Sequence, residues 1–226
     1  MQIQTITVGQ FQANCFLITC PETGAGAVVD VGEDDALGAR LAAMAPAPRL
    51  AAALITHCHV DHAAGLAELQ ARFPDAIACV PAADRPLFEA LPQQGNWFGM
   101  PSLNRSCGRV DRWLQDGDEI EVGALRLRFL STPGHSPGQG CFVGHGHAFV
   151  GDTLFAGSIG RTDLPLGDGP TMTRSLSKLL ELPGETVVHS GHGPDTTLAD
   201  ELATNPYLAH VRKARGLPEP QRRFWW

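Results

Sequence analysis

The sequence predicts an α/β fold in which two β-sheets pack together with helices outside them, in one continuous domain. Three observations carry this. The chain has 226 residues, 43% of them hydrophobic and 18% charged, which suits a single domain with a sizeable core. Short β-rich runs alternate with helical runs, and each half of the chain supplies several of both. No short repeat and no Ser/Gly-rich linker divides it.

The elements follow in order. "MQIQTITV", "CFLIT" and "AGAVVDVG" read as three strands. "DDALGARLAAMA" has helical spacing behind an acidic start, and Pro46 and Pro48 close it. "LAAALIT" is a buried strand, too short for an independent helix, and "HAAGLAELQARF" is an amphipathic helix ended by Pro74. "AIACV" is a strand and "AADRPLFEAL" a short helix. Residues 92–112 carry no periodicity and are expected to form a loop near the site, with Trp97, Phe98 and Met100 as its apolar contacts. "GDEIEVGALRLRFLST" reads as a hairpin around Gly123, and "CFVGHGHAFVGD" as a hairpin turning at Gly144 to Gly146. "TMTRSLSKLLELP" is a helix, "TVVHSG" a strand and "TLADELATN" a last helix. The expected domain is residues 1–210, followed by a tail, 211–226, that is basic and ends in "RRFWW".

Composition narrows the function. The net charge of −7 argues against a nucleic-acid surface, which needs clustered Lys and Arg. No apolar run reaches the ~18 residues a membrane span requires, and "MQIQTITVGQ" lacks the pattern of a signal peptide. The six scattered cysteines form no C-x-x-C and read as reduced thiols, which points to the cytoplasm. The oligomeric state is not readable.

Chemistry concentrates in Thr56 to Gly65, "THCHVDHAAG". His57 and His59 are two apart and project to one side of an extended chain. Asp61 and His62 follow where strand gives way to helix. Imidazoles beside a carboxylate are ligands for zinc or iron. Three more candidates sit in glycine-containing turns after apolar β-like runs: His135 in "STPGHSPGQG", Asp152 in "FVGDTLFAG" and His192 in "VHSGHGPD". Seven ligands exceed the four of a tetrahedral ion and suit two ions sharing one carboxylate. Cys58 alternates away from the ligands and reads as buried. His145 and His147 form a second H-x-H, read as solvent-exposed turn. His189 is expected in the core or orienting a ligand.

"THCHVDH", "PGHSPG", "GDTLF" and "SGHGP" resemble the successive motifs of the metallo-β-lactamase-fold hydrolases, over roughly residues 2–208. "GDTLFAGSIGRTDLPLGD" and "NPYL" are similar to the short bacterial glyoxalase II-like (hydroxyacylglutathione hydrolase-like) branch. The resemblance implies a four-layer αββα sandwich with metals at one edge between the sheets. It assigns His57, His59 and His135 to one ion, Asp61, His62 and His192 to a second, and Asp152 as the bridge. Two divalent ions are expected, zinc first, with iron or manganese as alternatives. The implied reaction is hydrolysis of a small thioester such as S-lactoylglutathione by a metal-bound hydroxide, with Asp61 and Asp152 as catalytic residues. A thiolate leaves without much help from an acid.

The larger glyoxalase II enzymes place a lysine and a tyrosine where this chain has Arg161 and Asp163, and they carry a further helical domain. Arg161 either grips a substrate carboxylate or pairs with Asp163, and recognition of glutathione is left open. The alternatives of the same fold are a persulfide dioxygenase, with one iron on His57, His135 and Asp152, and a lactonase or other esterase. A nuclease and a non-catalytic metal-binding module fit less well, given the acidic charge and the complete ligand set.

Overall fold

The computed structural model describes residues 1–217. The first sheet runs in the order β1 (Gln2–Val8), β2 (Ala13–Thr19), β3 (Ala25–Val29), β4 (Arg49–Leu54), β5 (Ile77–Pro81) and β6 (Arg112–Leu114). Its first three strands are antiparallel, and β3 to β6 are parallel. The second sheet contains β7 (Glu119–Val122), β8 (Leu125–Ser131), β9 (Gly140–Gly144) and β10 (His147–Gly151). A small ribbon follows, β11 (Leu154–Phe155) with β12 (Ser158–Ile159). Then β13 (Val187–Ser190) and β14 (Thr196–Thr197) complete the second sheet, in the order β14-β13-β10-β9-β8-β7.

Alternation along the strands builds the layers. In β2, Phe16 and Ile18 face Phe129, Phe142 and Phe149 of the second sheet, forming the inter-sheet core. Cys15 and Leu17 of the same strand face the other way. There they meet α1 (Ala36–Ala42), α2 (Val60–Ala63), α3 (Leu66–Arg72), α4 (Arg85–Glu89) and α5 (Leu91–Trp97). The outer face of the second sheet, with Cys141, Ala148, Val150 and Val188, packs on α6 (Gly169–Leu179), α7 (Leu198–Thr204) and α8 (Ala209–Ala214). The layers are therefore helix, sheet, sheet, helix, as the motifs imply. Among the described residues, no helix is long and apolar enough to cross a membrane.

Several local expectations change. The single helix expected over 62–73 breaks into α2 and α3 at Ala64 and Gly65. Gly65 lies against the carbonyls of Val31 and Asp34, where a side chain has no room, and its N–H donates to Gly32 O. Residues 92–112 are not all loop: α5 occupies their start and a 3₁₀ turn spans Pro101–Leu103. The hairpin at Gly144 turns through His145 and Gly146, both at positive φ, the pair a primed two-residue turn requires. The α8 helix crosses the boundary expected at 210, with Val211 and Arg212 buried and Arg212 donating to Asn205 O at 2.7 Å. "RRFWW" lies outside the described residues.

Candidate metal centre

Every expected ligand follows the carboxyl end of a strand, and those ends meet at one edge between the two sheets. His57 to His62 follow β4, His135 follows β8, Asp152 follows β10 and His192 follows β13. Parallel pairing of β10 with β13 brings Asp152 beside His192. Two glycines make the close approach possible. Gly151 takes φ +48 and packs on Thr56, and Gly191 leaves space that Asp152 Oδ1 and His62 fill.

Seven side chains converge: His57, His59, Asp61, His62, His135, Asp152 and His192. Their donor atoms form three groups, each within 4.8 Å: His57, His59 and His135; His57, His62 and Asp152; Asp61, His62 and His192. His59 Nδ1 faces His135 Nε2 at 2.8 Å, and His62 Nε2 faces His192 Nε2 at 3.3 Å. Asp152 stands between the groups. Its Oδ1 lies 3.4 Å from His62, while its Oδ2 lies 3.4 Å from His135 and 3.7 Å from His192. Ligands at ~2.0–2.1 Å from a tetrahedral ion stand roughly 3.3 Å apart, so these separations fit shared cations. The deciding feature is what the atoms lack. His57 Nε2 and Asp152 Oδ1 are buried and have no hydrogen-bond partner. Such orphans are costly unless something accepts their lone pairs. A divalent ion does that, so the residues present fit a metal.

The electrostatics divide the cluster. Burial, aided by the neighbouring histidines, holds His57 far below the ordinary imidazole range. Burial and His135 bring His59 down to about 3, against the pull of Asp61. Both are neutral donors. For His62, burial opposes charge, but Asp61, Asp152 and Asp30 outweigh it and raise the imidazole to about 10. Burial likewise works against Asp61, yet His62 and His192 hold it well below the ordinary carboxylate value. Asp61 and Asp152, 3.5 and 3.4 Å from His62 Nε2, thus favour positive charge on that side of the cluster.

Residues outside the seven fix the rings, and sequence reading missed them. Asp30, at the end of β3 with φ +57, accepts from His62 Nδ1 at 2.9 Å and from Thr56 N and Oγ1, each at 2.8 Å. That leaves His62 Nε2 for the centre. His135 Nδ1 donates to Arg161 O at 2.7 Å, which turns its Nε2 inward. Asp84, fully buried, accepts from Cys58 N (2.9 Å), Ser136 Oγ (2.8 Å) and Gly138 N (2.5 Å), so it ties two ligand loops together. Burial raises its carboxyl above the ordinary value, and these donors oppose the rise. Asn14 on β2 donates to Ser190 O at 3.0 Å and Gly193 O at 2.8 Å, pinning the loop that carries His192. For Asp30 and Asn14 the one signal in the sequence was a polar residue at the end of, or inside, an apolar strand; Asp84, in a 3₁₀ turn after β5, had none.

Other expectations fare differently. Cys58 is buried in the helix-side core, pointing away from the ligands. His189 is buried against Phe16 and Phe149, as a core residue, and orients no ligand: its Nδ1 meets Asp195 at 2.9 Å and its Nε2 meets His147 Nδ1 at 2.9 Å. His147 accordingly belongs to β10 and not to an exposed turn. Arg161 lies at the rim with its guanidinium forked onto Asp163, at 2.7 and 2.8 Å. Of the apolar residues expected from 92–112, Phe98 lines the cavity; Trp97 points to solvent and Met100 packs on the core.

The profile of the metallo-beta-lactamase superfamily matches residues 8–192, which contain all seven residues. The chain belongs to that superfamily. Within the family it is 37% identical over 212 residues to the hydroxyacylglutathione hydrolase GloC of Haemophilus influenzae, covering 92% of this chain and 98% of the relative. Its fold is similar to that of the B3 metallo-beta-lactamase BLEG-1, with TM-score 0.83, 30% identity, and coverage of 92% of this chain and 100% of that one. It is also similar to TTHA1623, solved in a di-iron-bound form, with TM-score 0.80, 34% identity, and coverage of 91% and 100%.

Proposed function

We propose that the protein is a metal-dependent hydrolase that cleaves a small thioester, of which S-lactoylglutathione is an example. The observation that carries this is the pair of orphaned buried atoms, His57 Nε2 and Asp152 Oδ1, at the meeting point of five histidines and two aspartates. In this reading His57, His59 and His135 would hold one ion, Asp61, His62 and His192 would hold the other, and Asp152 would serve both. Two divalent ions in such a centre supply a hydroxide nucleophile at neutral pH and polarise a carbonyl. The chain's own residues do the rest. Asp30 and the Arg161 carbonyl keep the rings of His62 and His135 aimed inward. Asp61 and Asp152 line the cavity among the histidines, where with the ions bound they would orient the water that becomes the nucleophile. The GloC relative's name supports the thioester class, and the di-iron form of TTHA1623 supports two ions.

The test is metal content measured together with a panel of thioesters, lactones and persulfides. Two ions per chain with thioester cleavage in the absence of oxygen is the expected result. One iron per chain with oxygen uptake on a persulfide overturns it. Zinc is the first expectation for the metal, and the same measurement decides between it and iron or manganese.

A further inference from the structure

A cavity of about 360 Å³ opens over the ligand cluster. His59, Asp61, His135, Asp152 and His192 form its floor. Its walls are mostly apolar, with Phe11, Phe98, Phe155, Ile159 and Leu164 beside Ser158 and Arg161. Phe11 and Phe98 come from separate segments and meet edge to face, with centroids 6.0 Å apart. Phe155 leans on the ring of His192 at 6.1 Å. Phe98 is 37% exposed although large, and its neighbour Trp97, 47% exposed, does not line the cavity.

The wall is held in place. Phe11 sits in the turn between β1 and β2, where Gln10 N donates to the buried Glu33 at 2.5 Å and Gln12 Nε2 donates to Gly9 O at 2.9 Å. Phe98 follows α5, whose Gln94 donates to Cys58 O at 2.7 Å, so the wall and the ligand loop share an anchor. Cationic hold is scarce by contrast. Arg161 is the one Lys or Arg among the described residues lining the cavity, and Asp163 already takes its fork. At about 360 Å³ the cavity lies at the small end of the ~300–1,000 Å³ range of ligand pockets.

We propose that this wall selects the substrate by an apolar acyl group beside the scissile carbonyl, held by Phe11 and Phe98, and takes no hold on the carboxylates of the thiol carrier. The proposal rests on the thioester-hydrolase reading above. Flat or branched acyl groups gain from ring contacts, while a glutathione and a neutral thiol carrier of the same acyl group serve alike.

The metal-loaded protein is tested on acetyl and phenylacetyl thioesters, each carried by N-acetylcysteamine and by glutathione. The phenylacetyl group is expected to raise kcat/KM by about 10-fold with either carrier. Phe11→Ala or Phe98→Ala should cut that advantage roughly 3- to 10-fold, Phe11→Leu and Phe98→Leu should retain most of it, and Trp97→Ala should leave it unchanged. A phenylacetyl-to-acetyl ratio near unity overturns the proposal, and so does a preference for the glutathione carrier above about 10-fold. If no thioester is cleaved, the hydrolase reading itself fails. Calorimetry then decides the wall separately: phenylacetate binding about 10-fold tighter than acetate upholds it, and equal binding removes it.

Discussion

Two clusters of histidine and aspartate sit near one another in this chain, and only one of them is built for a cation. In the first, around His57 and Asp152, donor atoms converge and two buried atoms find no partner. In the second, Asp195, His189 and His147 form a closed chain of hydrogen bonds at 2.9 Å each, with His189 stacked on Phe149. Crowding of imidazoles is common to both. Unspent lone pairs aimed at one point distinguish the first, because a satisfied histidine gains nothing from a metal.

That contrast breaks or sharpens with four substitutions. Asp152→Ala removes the carboxylate between the groups and should lower kcat/KM by at least ~10³-fold, with metal content falling in parallel. Activity surviving this change would remove the difference between the clusters. Asp84→Ala strands the donors on Cys58, Ser136 and Gly138, and should lower unfolding stability by about 3 kcal/mol in denaturant titration. Asp30→Asn weakens the aim of His62, and chelator competition should read a 10–100-fold loss of metal affinity. His147→Gln should leave metal content unchanged and cost under ~1 kcal/mol.

The same variant tests the sign of a pH effect. Burial depresses His147 below its ordinary value of about 6.5, with the N-terminal charge adding to this, and burial likewise depresses His189. The unfolded chain therefore binds more protons below about pH 6.5, so this cluster's stabilisation is full above that pH and is lost on acidification. Thermal melts of His147→Gln should lose part of that acid sensitivity.

The legible parts of the molecule were those with local signatures. The longer strands announced themselves as β-rich or apolar runs, while β6, β11, β12 and β14, two or three residues each, did not; the seven converging residues stood out by H-x-H-x-D-H and by three glycine-containing turns. Asp30, Asp84 and Asn14 were not legible, because each acts on backbone or rings brought to it by sheet pairing, as Asn14 does across 176 residues to Ser190. His147 was misread for the same reason: its partner His189 lies on the parallel neighbour of its strand. The α5 helix was missed because it is seven residues long, begins Leu91–Pro92 and contains Gly95, which erases periodicity.

The Asn14 clamp has a consequence for synthesis. A ribosome makes the β1–β2 hairpin well before the loop it grips, which follows 176 to 179 residues later. The segment "THCHVDH" leaves the exit tunnel long before its distant partners and offers only a partial chelate. The seven side chains therefore come together only once Asn14 and the loop of His192 have closed on each other, a non-local step that local folding of either segment cannot replace.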